Sequence, residues 1–303
     1  MEPVPLVQRK RPWDVKEIPA MPRLLVNLAA AFGCAALLCV AVASAHATDA
    51  TFERTLAVSG KVDLTVNTGA GTIHLTHGPA GSIHVFGRIR PSWGADENRV
   101  RELAAHPPIQ QTGNIVHVGL QHENLRNIAI DYEIQAPENV QLDAATGSGE
   151  IVDDGVGQNA KLSTGSGNIH ATAIKGSFSV ETGSGSIFAD ENGSGDVKAE
   201  TGSGSIELHH IKGALKAETG SGSIKADGTP ITAWKLQTGS GSVEIWTNNA
   251  AFTLDAETGS GSVHSDREMM TQGTQERRHL SGKVGGGGPM VRIETGSGSI
   301  RVH

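Results

Sequence analysis

The sequence predicts an all-β protein: a parallel β-solenoid of the β-helix or β-roll kind, with coils of about 18–20 residues, an irregular N-terminal part and one short helix. Three observations carry this. Thr-Gly-Ser-Gly begins at Thr146, Thr164, Thr182, Thr201, Thr219, Thr238, Thr258 and Thr295, with gaps of 18, 18, 19, 18, 19, 20 and 37. Five residues after each threonine stands a β-branched residue: Ile151, Ile169, Ile187, Ile206, Ile224, Val243, Val263 and Ile300. Two and four residues before it the chain is apolar, as at Val197 and Ala199 or Leu215 and Ala217, with Lys and Glu between. Apolar residues two apart with charges between them describe a half-buried strand and fit no helical period.

Each repeat therefore holds two short strands joined by a glycine corner. There glycine supplies the positive φ and the close approach of a tight turn. A unit this short cannot bury its own apolar face, but stacked units bury a continuous ribbon of Ile, Val, Leu and Ala. The Lys and Glu columns lie outside, where neighbours can pair at up to about 1 kcal/mol each. With 39 glycines in 303 residues, no glycine at every third position and 4% aromatics, the chain is neither collagen nor a protein with a large aromatic core. A formal charge of −7 excludes a generally basic, nucleic-acid-coating surface.

In chain order, residues 1–47 come first. Arg9-Lys10-Arg11, Lys16 and Arg23 precede an apolar run from Leu24 to Ala45, and Ala45-His46-Ala47 offers a processing site. This reads as a signal peptide, with Met21 an alternative start. Left uncleaved, the same 22-residue run is long enough to be an N-terminal membrane anchor. The expected location is accordingly exported: periplasm, cell surface or secreted. Cys34 and Cys39 both fall in this leader, so the chain from Thr48 has neither a disulfide nor a thiolate site.

Residues 48–145 form the irregular first part, or cap, of the solenoid. Asn67-Thr68-Gly69-Ala70-Gly71-Thr72-Ile73 is a degenerate copy of the repeat. Turns are expected at Gly69, Gly78 and Gly87, a helix over Ala95 to Ala105 ended by Pro107-Pro108, and strands over Asn114 to Leu120 and Asn127 to Gln135. Residues 146–303 form the regular solenoid, interrupted at 266–289 by a polar segment expected to project as a loop or hairpin. No cap is recognisable on the last coil, so the solenoid ends offer a route to self-association.

The repeated Thr-Gly-Ser-Gly-Ser-Ile, the lead-in Tyr132-Glu133-Ile134-Gln135-Ala136-Pro137-Glu138-Asn139-Val140-Gln141-Leu142 and the export leader together resemble the bacterial "putative adhesin" domain family of unknown function, over about residues 50–303. The resemblance implies a binding role at the surface or envelope and supplies no catalytic residues.

The chemistry read from the residues is sparse. A calcium β-roll needs a carboxylate two places after the last glycine of the corner, where this chain has Ile187, Ile206 or Ile224. Adjacent His209 and His210 point to opposite faces of a strand, and no cofactor or metal is expected. The corner serines have no His/Asp partner at a repeating offset. The candidate ligand-binding residues are Phe188 and Trp246, as outward aromatics able to stack on sugar rings, and Arg277, Arg278 and His279 on the long segment. The expected function is non-enzymatic: an adhesin-like binding or scaffolding solenoid of the cell envelope. Its expected partner is an envelope or extracellular protein or polysaccharide, not nucleic acid. The alternative is a polysaccharide-binding or polysaccharide-active β-helix protein.

Overall fold

A computed structural model describes residues 49–119, 125–271 and 276–303. The leader expected at 1–47, with Cys34 and Cys39, lies outside the described residues. The rest is a two-sheeted parallel solenoid, one sheet of 12 strands and one of 13. Every regular coil gives one strand to each sheet.

The first sheet, here the threonine sheet, holds the strands that end in Thr-Gly-Ser, such as Phe178–Ser184, Val197–Ser203 and Leu215–Ser221. The second, the isoleucine sheet, holds those that follow the corner, such as Ile187–Glu191, Ile206–Ile211 and Ile224–Gly228. Like residues pair from coil to coil: Thr182 with Thr201, Thr201 with Thr219, Ile187 with Ile206 and Ile206 with Ile224. The two apolar columns ahead of the threonine are buried throughout, from Leu142 and Ala144 to Val291 and Ile293. So is the isoleucine column, except Val263 at the end of the stack, which is half-buried.

Two further inward columns were not read from the sequence. One follows the isoleucine by two residues and runs through Asp153, Ala171, Ala189, Leu208, Ala226 and Ile245. The other is the threonine itself, buried in every regular coil. Its hydroxyl donates to the carbonyl of the second corner glycine of the adjacent coil: Thr182 to Gly167 at 2.9 Å, Thr201 to Gly185 at 2.9 Å and Thr219 to Gly204 at 2.9 Å. A half-buried corner carbonyl thereby gains a partner from the next coil. Serine completes the corner from outside, since the Ser186 hydroxyl accepts from Ser205 N and the Ser205 hydroxyl from Ser223 N, each at 3.4 Å.

Glycine is required at the corner for closeness. A Cβ on Gly185 would lie 1.9 Å from Gly167 O, and one on Gly183 would lie 2.6 Å from Gly165 O. Close approach is common to this column, whereas positive φ is not: Gly167 and Gly185 lack it, while Gly204, Gly222, Gly241, Gly261 and Gly298 have φ between +148° and +158°.

The N-terminal part holds coils of the same kind in a different order. Val62–Ala70 and Ile73–His77 make the degenerate copy a true coil, with Thr68 beside Thr146 and Ile73 beside Ile151. Outside it lies a coil from later in the chain, Ile115–Val118 and Ile128–Ala136. Antiparallel strands Ala50–Ala57 and Ser82–Pro91 close the isoleucine sheet. The helix is Glu97–Ala105, capped by the Asp96 side chain accepting from Asn98 N, with Val100 and Leu103 buried. Neither Gly69 nor Gly87 is a turn. Gly69 lies within its strand, and Gly87 makes room for Phe52, whose ring would stand 2.1 Å from a Cβ there.

The C-terminal end departs from expectation. Of the segment 266–289, the described strands form the antiparallel pair that one of the two expected forms, the hairpin, requires, and they lie in the sheet. Its strand His279–Val284 pairs antiparallel with Phe252–Ser260, and Met269–Thr271 pairs outside that, so it caps the threonine sheet. Edge strands expose unpaired peptide groups, and this hairpin covers them. Nor is the last coil in the sequence the last in space. Met290–Ser297 lies between Trp234–Ser240 and Phe252–Ser260, and Ile300–Val302 between Val243–Trp246 and Val263–Ser265. The expected open final coil is therefore an interior one.

Candidate functional site

A groove of about 1090 Å3 runs along the outside of the threonine sheet. Its floor is the first corner glycine of each coil, including Gly165, Gly183, Gly202 and Gly220, and its wall is the column preceding the threonine, including Glu181, Glu200, Glu218 and Glu294. The geometry follows from strand alternation. Apolar, Lys, apolar, Glu, Thr, Gly places Lys, Glu and Gly at successive outward positions, and the residue without a side chain leaves a trough.

The wall is held by a zigzag of ion pairs. Lys198 Nζ lies 2.7 Å from Glu181 and 2.8 Å from Glu200, and Lys216 lies 2.6 Å from Glu200 and 3.1 Å from Glu218. Burial raises the Glu200 pKa, but the bonds from Lys198 and Lys216 outweigh it and leave the carboxyl below its usual range. Lys198 is shifted upward by its bonds to Glu181 and Glu200. Lysines thus bridge the Glu181, Glu200 and Glu218 carboxylates from one coil to the next.

The outer face of the isoleucine sheet carries the two predicted aromatics. Phe188 is half-buried, stacked on His170 at 4.5 Å with the rings 8° from parallel, and 5.3 Å from His209. The His170 ring covers one face of Phe188, and His209 stands tilted at 45° beside it. Trp246 is 38% exposed and stacks on His303 at 5.1 Å. The coils of Ile206 and Ile224 intervene between them, so the two do not form one platform. Arg277, Arg278 and His279 are exposed at the cap, His279 in a strand of the threonine sheet and Arg277 and Arg278 in the turn before it. The Arg277 and Arg278 carbonyls accept from Val263 N at 3.0 Å and Thr258 N at 2.9 Å, and His279 Nε2 lies 3.1 Å from Asp255. Through these bonds the three residues touch the outermost coil, Phe252–Ser260 and Val263–Ser265.

A His–carboxylate cluster on the isoleucine face was not anticipated. Positive φ at His210 breaks the strand alternation, so His209 and His210 do not point to opposite faces. His209 Nδ1 bonds Asp227, its Nε2 lies 3.2 Å from Glu207, and His210 Nδ1 lies 2.7 Å from Asp190. The Asp190 bond raises the His210 pKa. Nearby Glu191 is buried and its Oε2 accepts from Lys212 N at 3.0 Å, while burial pushes its pKa up. Among the described residues, no group of three or more His, Cys, Asp or Glu is placed to hold a metal ion. Also among them, no helix is long and apolar enough to cross a membrane.

Repeat geometry of this kind defines a class, the parallel β-solenoid with a glycine corner. The pattern of the Toastrack DUF4097 family matches residues 112–303, and the chain belongs to that family. No curated protein matches it. Solved structures of similar fold include a "putative adhesin" from Bacteroides fragilis NCTC 9343, at 13% identity over 84% of this chain and 97% of that one, with a TM-score of 0.47. Another is a "putative cell adhesion protein" from Clostridium sporogenes ATCC 15579, at 14% identity over 83% and 98%, TM-score 0.26. A third is a "putative lipid binding protein" from Parabacteroides distasonis ATCC 8503, at 13% identity over 84% and 97%, TM-score 0.34. Likeness at this level does not extend to function.

Proposed function

We propose that this chain is a non-enzymatic, exported β-solenoid that binds or scaffolds at the cell envelope, as an adhesin-like module. The observation that carries the reading is the repetition along the groove on the threonine sheet, lined by the Thr and Gly columns and by a polar column of Glu181, Glu200, Glu218, Glu257 and Glu294 with Ser163 and Gln237. A repeating wall of lysine-bridged carboxylates over a glycine floor suits an extended partner that meets similar groups from coil to coil. Catalysis by paired carboxylates would need two groups of different pKa facing one another in a cleft. The leader read at 1–47 supports export to the periplasm, cell surface or medium, and the charge of −7 disfavours nucleic acid as partner.

Incubation of the chain with a panel of envelope and plant polysaccharides tests the non-enzymatic part. The expected result is neither new reducing ends nor unsaturated products, and clear turnover would establish the polysaccharide-active alternative. Pull-down from envelope fractions tests the location. Substituting Glu181, Glu200 and Glu218 together by Gln should weaken capture of the envelope partner, and unchanged capture would remove the groove from the binding role.

A further inference from the structure

We propose that the coil formed by residues 290–303 is exchangeable between molecules: it fills a slot between two coils of its own chain, and a second copy can supply it, giving a coil-swapped dimer. Both walls of the slot, the coil through Trp234–Ser240 and Val243–Trp246 and the coil through Phe252–Ser260 and Val263–Ser265, precede the insert in the chain. The insert joins them by the same ladder that joins consecutive coils. Thr295 pairs with Thr238 on one side and Thr258 on the other. The Thr295 hydroxyl donates to Gly241 O at 2.8 Å, and Gly298 O accepts from the Thr258 hydroxyl at 2.8 Å. Val291, Ile293, Ile300 and Val302 are buried in it. His303 clasps both walls, with Nε2 3.0 Å from Glu244 and Nδ1 2.7 Å from Asp266.

Nothing in these contacts depends on which molecule provides the coil. The insert is reached through Gly285-Gly286-Gly287-Gly288, of which the first three have φ of +61°, +94° and +89°. Four glycines in succession impose little direction on the chain beyond them, and such hinges favour exchange of an identical element between protomers. The swap differs from end-to-end stacking, because it uses an interior position and leaves the cap hairpin in place.

The test uses the full chain with Cys34→Ser and Cys39→Ser as background. Ser240 and Ser297 are exposed neighbours on adjacent strands, a spacing a disulfide can bridge, whereas Ser240 and Ser260 are two strands apart, beyond its reach. Ser240→Cys and Ser297→Cys proteins are purified separately, mixed at high concentration, held in sub-denaturing urea, returned to buffer and oxidised. The expected product is a disulfide-linked dimer of twice the chain mass, absent when Ser148→Cys replaces Ser297→Cys. The double variant Ser240→Cys/Ser297→Cys should close a bridge within one chain, which also reports that the fold forms. Closure in the double variant with no mixed dimer would overturn exchange. Failure of that closure, or a bridge within the Ser240→Cys/Ser260→Cys chain, would overturn the inserted order itself.

Discussion

Asp153 is the position where the solenoid core is chemically least at ease. It stands in an inward column between Leu75 and Ala171 and is fully buried. Its Oδ1 accepts from Val156 N at 3.0 Å, closing the turn after Ile151–Asp154, while Oδ2 is buried without a partner. Burial pushes its pKa up from 3.8 to about 8, against the lowering effect of the Val156 bond. Below about pH 4 both folded and unfolded chains keep the proton, and the carboxyl has no differential effect. As pH rises the unfolded chain ionises first and gains free energy, so stability falls by ~1.4 kcal/mol per pH unit until the folded carboxyl ionises near pH 8. Between pH 5 and pH 8 the loss is about 4 kcal/mol. Asp153→Asn retains the acceptor for Val156 N and removes the ionisation. Its orphan amide costs the same at every pH. Urea unfolding at pH 5 and pH 8 should therefore show the variant gaining on the parent by about 4 kcal/mol across that interval. If this coil opens by itself, amide exchange at Val156 and Ile169 should show the same gain. Parallel behaviour of the two proteins from pH 5 to pH 8 would refute the reasoning.

Other perturbations separate the forces in the stack. Gly185→Ala should lower stability by about 3 kcal/mol in thermal or urea melts, since its Cβ falls 1.9 Å from Gly167 O, whereas Ser184→Ala on the exposed column should change little. Thr201→Val keeps the shape but loses the 2.9 Å bond to Gly185 O, at an expected cost of about 1–2 kcal/mol, and an unchanged melt would deny the threonine ladder its role. Lys216→Ala should cost less than about 1 kcal/mol, and the cost should shrink in high salt. His210 should titrate above its ordinary value by NMR, and Asp190→Asn should bring it down; indifference to that substitution would mean the 2.7 Å bond is not formed in solution.

The coil was legible because its columns repeat. One misplaced residue would put a charge inside, so the Ile187, Ile206 and Ile224 column and the two columns before the threonine were readable from spacing alone. The buried threonine was not, since hydroxyl-to-carbonyl bonding between coils leaves no mark on hydropathy. Coil order was hidden for the opposite reason. When every coil presents the same ladder to both sides, the sequence does not say which coil lies next to which, and the 37-residue gap before Thr295 looks like two periods. It is a capping hairpin followed by an insertion. The site was less readable than the fold. Phe188 and Trp246 were correctly placed outward, but nothing in their spacing told that His170 and His303 cover their rings. The His209–His210 pair was misread because strand alternation fails where φ turns positive.

Distances along the stack test the winding backbone most directly. Nitroxide labels on cysteines at exposed Ser148 paired with Ser166, Ser203, Ser240, Ser297 or Ser260, in the background free of Cys34 and Cys39, should give separations that grow by about 4.8 Å per coil. Ser260 should lie farther from Ser148 than Ser297 does, although Ser297 is later in the chain. Separations that follow sequence order through Ser297, or that do not grow in even steps, would contradict the stacked, leapfrogging solenoid.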